Sequence, residues 1–381
     1  MKKSIIALAA LIVAGAAQAE SSVTLYGLID AGVTFVNNQN GDTNYKMDSG
    51  IMNGNRWGLR GREELTSDLA AIFRIESGFN LDNGNSNQGG RLFGRQAFAG
   101  LDLKNVGSVT FGRQYDFMGD IGDYAIASEE FGSVYTLESS GVFHTDTGLG
   151  DRATGARVDN SVKFQSANLG GSGVTAGVMV GLGENAANKK FGRTFSASLG
   201  YEGIPNFSTK LAYTQVRNNT IAAGAINFNI NGVVTPNVAI PTLKTDIWGL
   251  GASYDLGFGK VNGVVTSTKV DLGIGTDFKS NVYELGYKHR ITPQLSAGVG
   301  YQYFDNKTAG LKKADMHGAS VALDYAFSKR TDAYFLTVWN KAKTQDLGGG
   351  NTVSIAPNIT NSGASDNKNQ AAVRVGLRHR F

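Results

Sequence analysis

From Gln370 to Phe381 the chain alternates without interruption. Gln370, Ala372, Arg374, Gly376, Arg378 and Arg380 fall on one face, and Ala371, Val373, Val375, Leu377, His379 and Phe381 on the other. A period of two is that of a β-strand with two chemically distinct faces. Three arginines on one side call for water, and the aliphatic side calls for an apolar surround. In a transmembrane β-barrel these are the lumen and the lipid.

The composition agrees with a sheet. Hydrophobic residues make up 41% of the 381 residues and aromatics 10%, with 51 glycines and only five prolines. Aromatic content of this order excludes a disordered chain, and so many glycines disfavour a large helical core. The prolines, Pro205, Pro236, Pro241, Pro293 and Pro357, are all expected in turns or loops, because proline cannot donate to a ladder. Residues 1–19 read as a cleaved signal peptide: Lys2 and Lys3, an apolar run from Ile5 to Ala14, then Ala17-Gln18-Ala19. The run is too short for a membrane anchor. Residues 20–381 are then one domain, exported yet without cysteine, so the sheet alone must hold it together. No later apolar stretch is long enough for a transmembrane helix.

Counting polar breaks gives the strand number. In Val23 to Phe35 the face Val23, Leu25, Gly27, Ile29, Ala31, Val33, Phe35 alternates with Thr24, Tyr26, Leu28, Asp30, Gly32, Thr34. The same rhythm recurs to the end. Long breaks fall near 37–54, 80–92, 115–156, 183–192, 218–243, 270–279, 305–315 and 343–368, and short ones near 63–68, 104–107, 167–172, 203–206, 257–259, 290–293 and 328–330. Eight long and seven short connections predict sixteen antiparallel strands, with tight turns on one rim and elaborated loops on the other. Parity is ambiguous in 93–103 and 331–342. A soluble β-sandwich or solenoid would explain the alternation but not the sidedness of the loops.

About sixteen strands leave an aqueous channel, where eight would leave a packed interior. The long segment Tyr115–Ala156 could fold inward and narrow it, or stay outside as a solvated loop. It carries Asp116, Asp120, Asp123, Glu129, Glu130, Glu138, Asp146 and Asp151. Lumen-parity positions of the early strands carry the opposite sign: Arg56, Arg60, Arg62 and Arg74. Arg157 shares parity with Asp159, Ser161, Lys163 and Gln165, and Arg95 falls near the same level. An acidic loop against an arginine wall would focus a transverse field across a constriction and discriminate ions. The three arginines weigh toward anions, and the loop carboxylates oppose them.

At Ser22–Gly27, Asn55–Gly61, Phe111–Gln114, Asp159–Phe164 and Val375–Phe381 the chain resembles the Gram-negative trimeric porins of the β-proteobacterial type. The resemblance implies an all-β, sixteen-stranded antiparallel transmembrane barrel in the outer membrane, three per assembly, with the third external loop folded into each pore. It implies that Arg56, Arg95 and Arg157 form the basic side of the constriction, supported by Glu76. Arg74 has no consistent counterpart, and the acidic loop is not matched residue by residue. It also implies that Phe381 belongs to the signal read by the barrel assembly machinery. The expected partners are a homotrimer, outer-membrane lipid and lipopolysaccharide, that machinery, and small hydrophilic solutes and ions.

No cofactor, metal or chemical step is expected. The chain has no cysteine, and its histidines lack ligand spacing. Ser139, Ser140, His144 and Asp146 are close in sequence but lack a nucleophile elbow. Asp271 and Asp277 read as solvated loop acids. The basic residues alternate along strands and form no nucleic-acid patch. The expected function is a general diffusion porin. The alternatives are a substrate-specific porin, which needs an aromatic ladder in the lumen, and a barrel adhesin with a plugged pore.

Overall fold

The computed structural model describes residues 21–125, 152–153, 156–187, 192–222, 226–230, 233–235, 239–271, 277–308, 314–343, 345–348 and 351–355, and, from 357 to 381, all but 358, 360, 361 and 364. The expected signal peptide lies outside the described residues.

The strands are Ser21–Gln39 (β1), Asp42–Ser49 (β2), Arg56–Glu64 (β3), Leu69–Gly78 (β4), Gln96–Leu103 (β5), Gly107–Tyr115 (β6) and Arg157–Ser166 (β7). Val174–Gly181 (β8), Thr194–Tyr201 (β9), Phe207–Ala222 (β10), Ile226–Ile230 (β11), Val233–Thr235 (β12), Ala239–Asp255 (β13) and Gly259–Asp271 (β14) follow. Asp277–Arg290 (β15), Leu295–Thr308 (β16), Ala314–Ala326 (β17), Thr331–Ala342 (β18), Gln345–Gly348 (β19), Asn351–Ile355 (β20) and Asn369–Arg380 (β21) complete the chain.

Seventeen of these form one antiparallel sheet that closes on itself, with β21 pairing both β18 and β1. β1 is long enough to pair β3 along Ser21–Leu28 and β2 along Ala31–Gln39. β2 and β3 are therefore one stave, interrupted by residues 50–55, and the barrel has sixteen. Closure removes the sheet edges that a lipid environment cannot tolerate. Phe381 sits on this seam: its N–H donates to the Gly27 carbonyl (3.1 Å), and its own carbonyl accepts from the Gly27 N–H (3.0 Å).

The long breaks contain more structure than expected. β10 and β13 continue their ladder as far as Ala222 and Ala239, so Pro241 lies within β13, opposite Thr220, and not in a loop. Beyond them, β11 and β12 pair with β20 and β19 in a separate four-stranded sheet. Residues 331–342 alternate cleanly, with Asp332, Tyr334, Leu336, Val338, Asn340 and Ala342 buried. Their parity is hard to read in sequence because Leu336 and Val338 are apolar yet face inward. They pack there against Ile51, Met52 and Ile359.

Candidate functional site: the charged interior

Register builds the site. Tyr26, Gly58 and Glu76 lie directly opposite one another on β1, β3 and β4. A Cβ at Gly58 would come within 2.9 Å of the Tyr26 hydroxyl, so only glycine lets the phenol cross the wall. That hydroxyl donates to Glu76 Oε2 at 2.8 Å. Arg95 Nε donates to the other carboxylate oxygen at 2.7 Å, and both side chains are buried. Arg95 Nη2 and Arg157 Nη2 then converge on the Tyr115 hydroxyl oxygen, at 3.0 and 2.9 Å. The Arg157 guanidinium lies 4.8 Å from the centre of that ring. Arg56 Nε donates to the Gly54 carbonyl at 3.0 Å, which fixes the head of the broken stave.

Arg60 and Arg74 face each other across β3 and β4. Like charges directly opposite on a sheet repel. The Tyr26 ring moderates this by cation–π attraction, 5.5 Å from Arg60 and 5.9 Å from Arg74. Arg62 instead binds Glu64 and Asp102 near the short-turn rim. Among the described residues, Glu76 is the carboxylate of this cluster: Arg95 binds it directly, Arg157 joins through Tyr115, and Arg60 and Arg74 flank it through the Tyr26 ring.

The loop carboxylates are arranged differently from expectation. Asp116 is buried and accepts from Arg152 Nε at 2.6 Å. Asp120 accepts from Lys210 Nζ on β10 at 3.0 Å. Their ion pairs run to Arg152 and Lys210, and not to the arginine wall. Lys163 Nζ lies 4.2 Å from the Phe117 ring centre and donates to the Tyr115 carbonyl. Asp123 lies in the short 3-10 helix Gly119–Tyr124. Glu129 lies outside the described residues.

Packing explains the arrangement. Phe117, Met118, Ile121, Tyr124 and Ala125 form an apolar face buried against Met179, Ala212, Ile247 and Val264 on the inner wall. Glycines make the room. A Cβ would strike Phe117 at Gly177, Met118 and Ile121 at Gly249, and Tyr124 at Gly251. The third loop thus enters the barrel by seating apolar side chains on glycine-cleared wall. Gly251→Val places branched carbon where Tyr124 lies, and the expected result is a displaced loop and larger single-channel conductance. Unchanged conductance in a folded variant would show that this contact does not hold the loop.

The wall departs from period-two parity in β7, and its interior is drier than expected beside β21. Between Gly112 and Gln114 the β6–β7 register shifts, setting two residues of β7 against one. Asn160, within that bulge, has φ 52°. A bulge breaks period two, so Arg157 does not share the parity of Ser161 and Lys163. It reaches the cluster through Tyr115. Its neighbour Asp159 accepts from Arg91 (2.8 Å) and Arg113 (2.6 Å), two arginines that parity did not single out.

Of the three terminal arginines, Arg380 stays part-exposed, whereas Arg374 and Arg378 are not wet. Arg374 is fully buried and donates to the Tyr334 hydroxyl (2.7 Å), to Thr34 (2.9 Å) and to the Asp48 carboxylate. Asp30 completes the network, accepting from the Met52 N–H (2.6 Å), the Asn53 N–H (3.0 Å) and the Tyr334 hydroxyl (2.6 Å). Arg378 is buried against Asp332 and Asn53. The excursion 50–55 folds inward over these groups, which is why a lumen-facing arginine can be dry.

The profile of the Gram-negative porins matches residues 5–345. The chain belongs to this porin family. It is 32% identical to an outer membrane porin protein of Bordetella pertussis, over the full length of both chains. It is 29% identical to the outer membrane porin protein 32 of Delftia acidovorans, again over both full lengths. Among solved structures, the anion-selective porin from Comamonas acidovorans superposes with a TM-score of 0.74 at 26% identity, covering 95% of this chain and 100% of that one. Family, relatives and closed barrel together make this porin an outer-membrane channel for passive diffusion.

Proposed function

We propose that the channel is a general diffusion porin whose constriction is formed by Arg56, Arg95 and Arg157 with Glu76, flanked by Arg60 and Arg74, and that it prefers anions. One observation supports the reading: among the described residues, Arg95 engages Glu76 in a cluster that also holds Arg56, Arg157, Arg60 and Arg74, while Asp116 and Asp120 are engaged by Arg152 and Lys210. A focused positive field raises the local concentration of anions. The solved relative named anion-selective supports the same sign. Passage involves no chemical step.

Three copies assemble, on this reading, through the outer face of β1 and β2, where Val33, Tyr45 and Met47 stay exposed toward the long-loop rim. Residues 1–19 serve as the export signal, and Phe381 is read by the assembly machinery. Lipopolysaccharide surrounds the remaining wall. In planar bilayers under a KCl gradient the zero-current potential should carry the sign of chloride permeation. A potassium-signed potential would refute the anion preference and leave the channel itself intact.

A further inference from the structure

Between β2 and β3 the chain holds more residues than the wall requires. Ser49 is opposite Ala31 and Arg56 is opposite Leu28, so residues 50–55 face only Ile29 and Asp30. Two residues would continue the stave, and four are surplus. An even surplus leaves the faces of β2 and β3 in phase, because side chains alternate with period two. Gly50, at φ 73°, turns the chain out of the ladder in the left-handed region that glycine tolerates. A Cβ there would lie 3.3 Å from the Asn55 nitrogen, so the two ends of the excursion touch. Both ends still serve the wall. The Gly50 N–H donates to the Asp30 carbonyl at 2.9 Å, and the Asn55 carbonyl accepts from the Phe79 N–H at 3.3 Å.

Asp30 clasps the surplus inside the barrel. Its Oδ2 accepts from the Met52 and Asn53 N–H groups, and its own N–H donates to Asn55 Oδ1 at 2.6 Å. Ile51 and Met52 form an apolar heel, fully buried on Val36, Leu336, Val338 and Ala372. The third loop is seated by the same means. Asn53 and Gly54 are only half-buried and form the inward tip. Asn53 Oδ1 accepts from Arg378, and the Gly54 carbonyl accepts from Arg56 Nε. A Cβ at Gly54 would lie 3.1 Å from Arg95 Nη1, and Arg95 Nη2 donates to Tyr115, where the third loop departs. Tip and loop therefore share one level of the pore. They approach it from opposite sides: the broken stave is the second of sixteen, and β13, under the third loop, is the tenth.

We propose that residues 50–55 are a second constriction element, set against the third loop, which limits the size of solute that passes. A barrel of about sixteen strands is wide enough to hold an aqueous channel, and a loop seated on one wall leaves the facing wall clear. The excursion occupies that side. It carries no ionisable side chain, so it narrows the passage without changing the sign of the field. The inference rests on the open channel and not on its ion preference.

The test is a deletion of residues 51–54 in the full-length protein, which joins Gly50 to Asn55 and keeps the ladder bond of each. Single channels are recorded in planar bilayers, and vesicle swelling is measured with neutral sugars of graded size. The expected result is a larger conductance, entry of a sugar that the wild type excludes, and a zero-current potential of unchanged sign. The deletion also uncovers Leu336 and Val338, so a milder variant runs beside it. The chain has no cysteine, and Asn53→Cys therefore places one reactive thiol at the tip. Coupling a bulky neutral reagent to it should lower the single-channel current. The same reagent on Val33→Cys, on the lipid face, should leave the current unchanged. Wild-type conductance and sugar cut-off in the folded deletion, or undiminished current through fully labelled Asn53→Cys, would overturn the second element. If the wild type itself conducts nothing, the channel reading falls and the second element falls with it.

Discussion

Replacing Arg56 and Arg157 together by glutamine should shift the zero-current potential in a KCl gradient from the chloride side toward potassium. Both side chains are part-buried; Arg157 donates to the Tyr115 hydroxyl, and Arg56 donates to the Gly54 carbonyl beside it. Two unit charges within about 8 Å of a passing ion, at an effective dielectric between protein and water, alter its energy by on the order of 1–2 kcal/mol. Salt screening trims this figure. A change of about 1.4 kcal/mol is tenfold in a ratio of equilibria, so the chloride-to-potassium permeability ratio should fall by roughly tenfold. Arg95 is left in place deliberately. It is buried beside Glu76 at 2.7 Å, and removing it would strand a buried carboxylate and confuse selectivity with misfolding. If the double variant keeps the wild-type potential, the selective field arises elsewhere in the pore. Lys163 and Lys210, beneath the inward loop, are then the next groups to neutralise.

Much of the architecture is legible in sequence because a barrel wall obeys one local rule. Fifteen connections of unequal length give sixteen staves, and the two rims follow from their alternation. The rule fails wherever something leans on the wall. Leu336 and Val338 confuse the parity of β18 because the inner excursion with Ile51 and Met52 makes the lumen apolar there. Arg157 reaches the site across a bulge at Asn160, which no period-two count anticipates. The inward seat of the third loop had a signal that was missed: Gly249 and Gly251 share one face of β13, and a Cβ at either would collide with the loop. The acidic residues of that loop were visible, but their partners were not, since Asp120 and Lys210 are 90 positions apart.

Arg374→Met should be the most damaging single substitution in the wall. Shape is roughly preserved, but five donors vanish from a site that is fully buried. Asp48 keeps Lys46 at 3.0 Å. Asp30, also fully buried, keeps only the hydroxyl of Tyr334 and the N–H groups of Met52 and Asn53, with its charge uncompensated. Breaking a buried pair by removing one partner costs about 3–5 kcal/mol. That cost falls on the seam where β21 meets β1 and β18, residues 344 positions apart in sequence between Arg374 and Asp30. The expected outcome is a lower midpoint of thermal unfolding in detergent, read by the loss of the compact, heat-modifiable band on gels. The double variant Arg374→Met/Asp30→Asn tests the cause. If charge left buried is the injury, neutralising Asp30 should restore part of the loss, because the two sites share one network and their effects are not additive. If the double variant is instead as unstable as the sum of the single ones, the seam depends on packing and register, and the ion network is incidental to it.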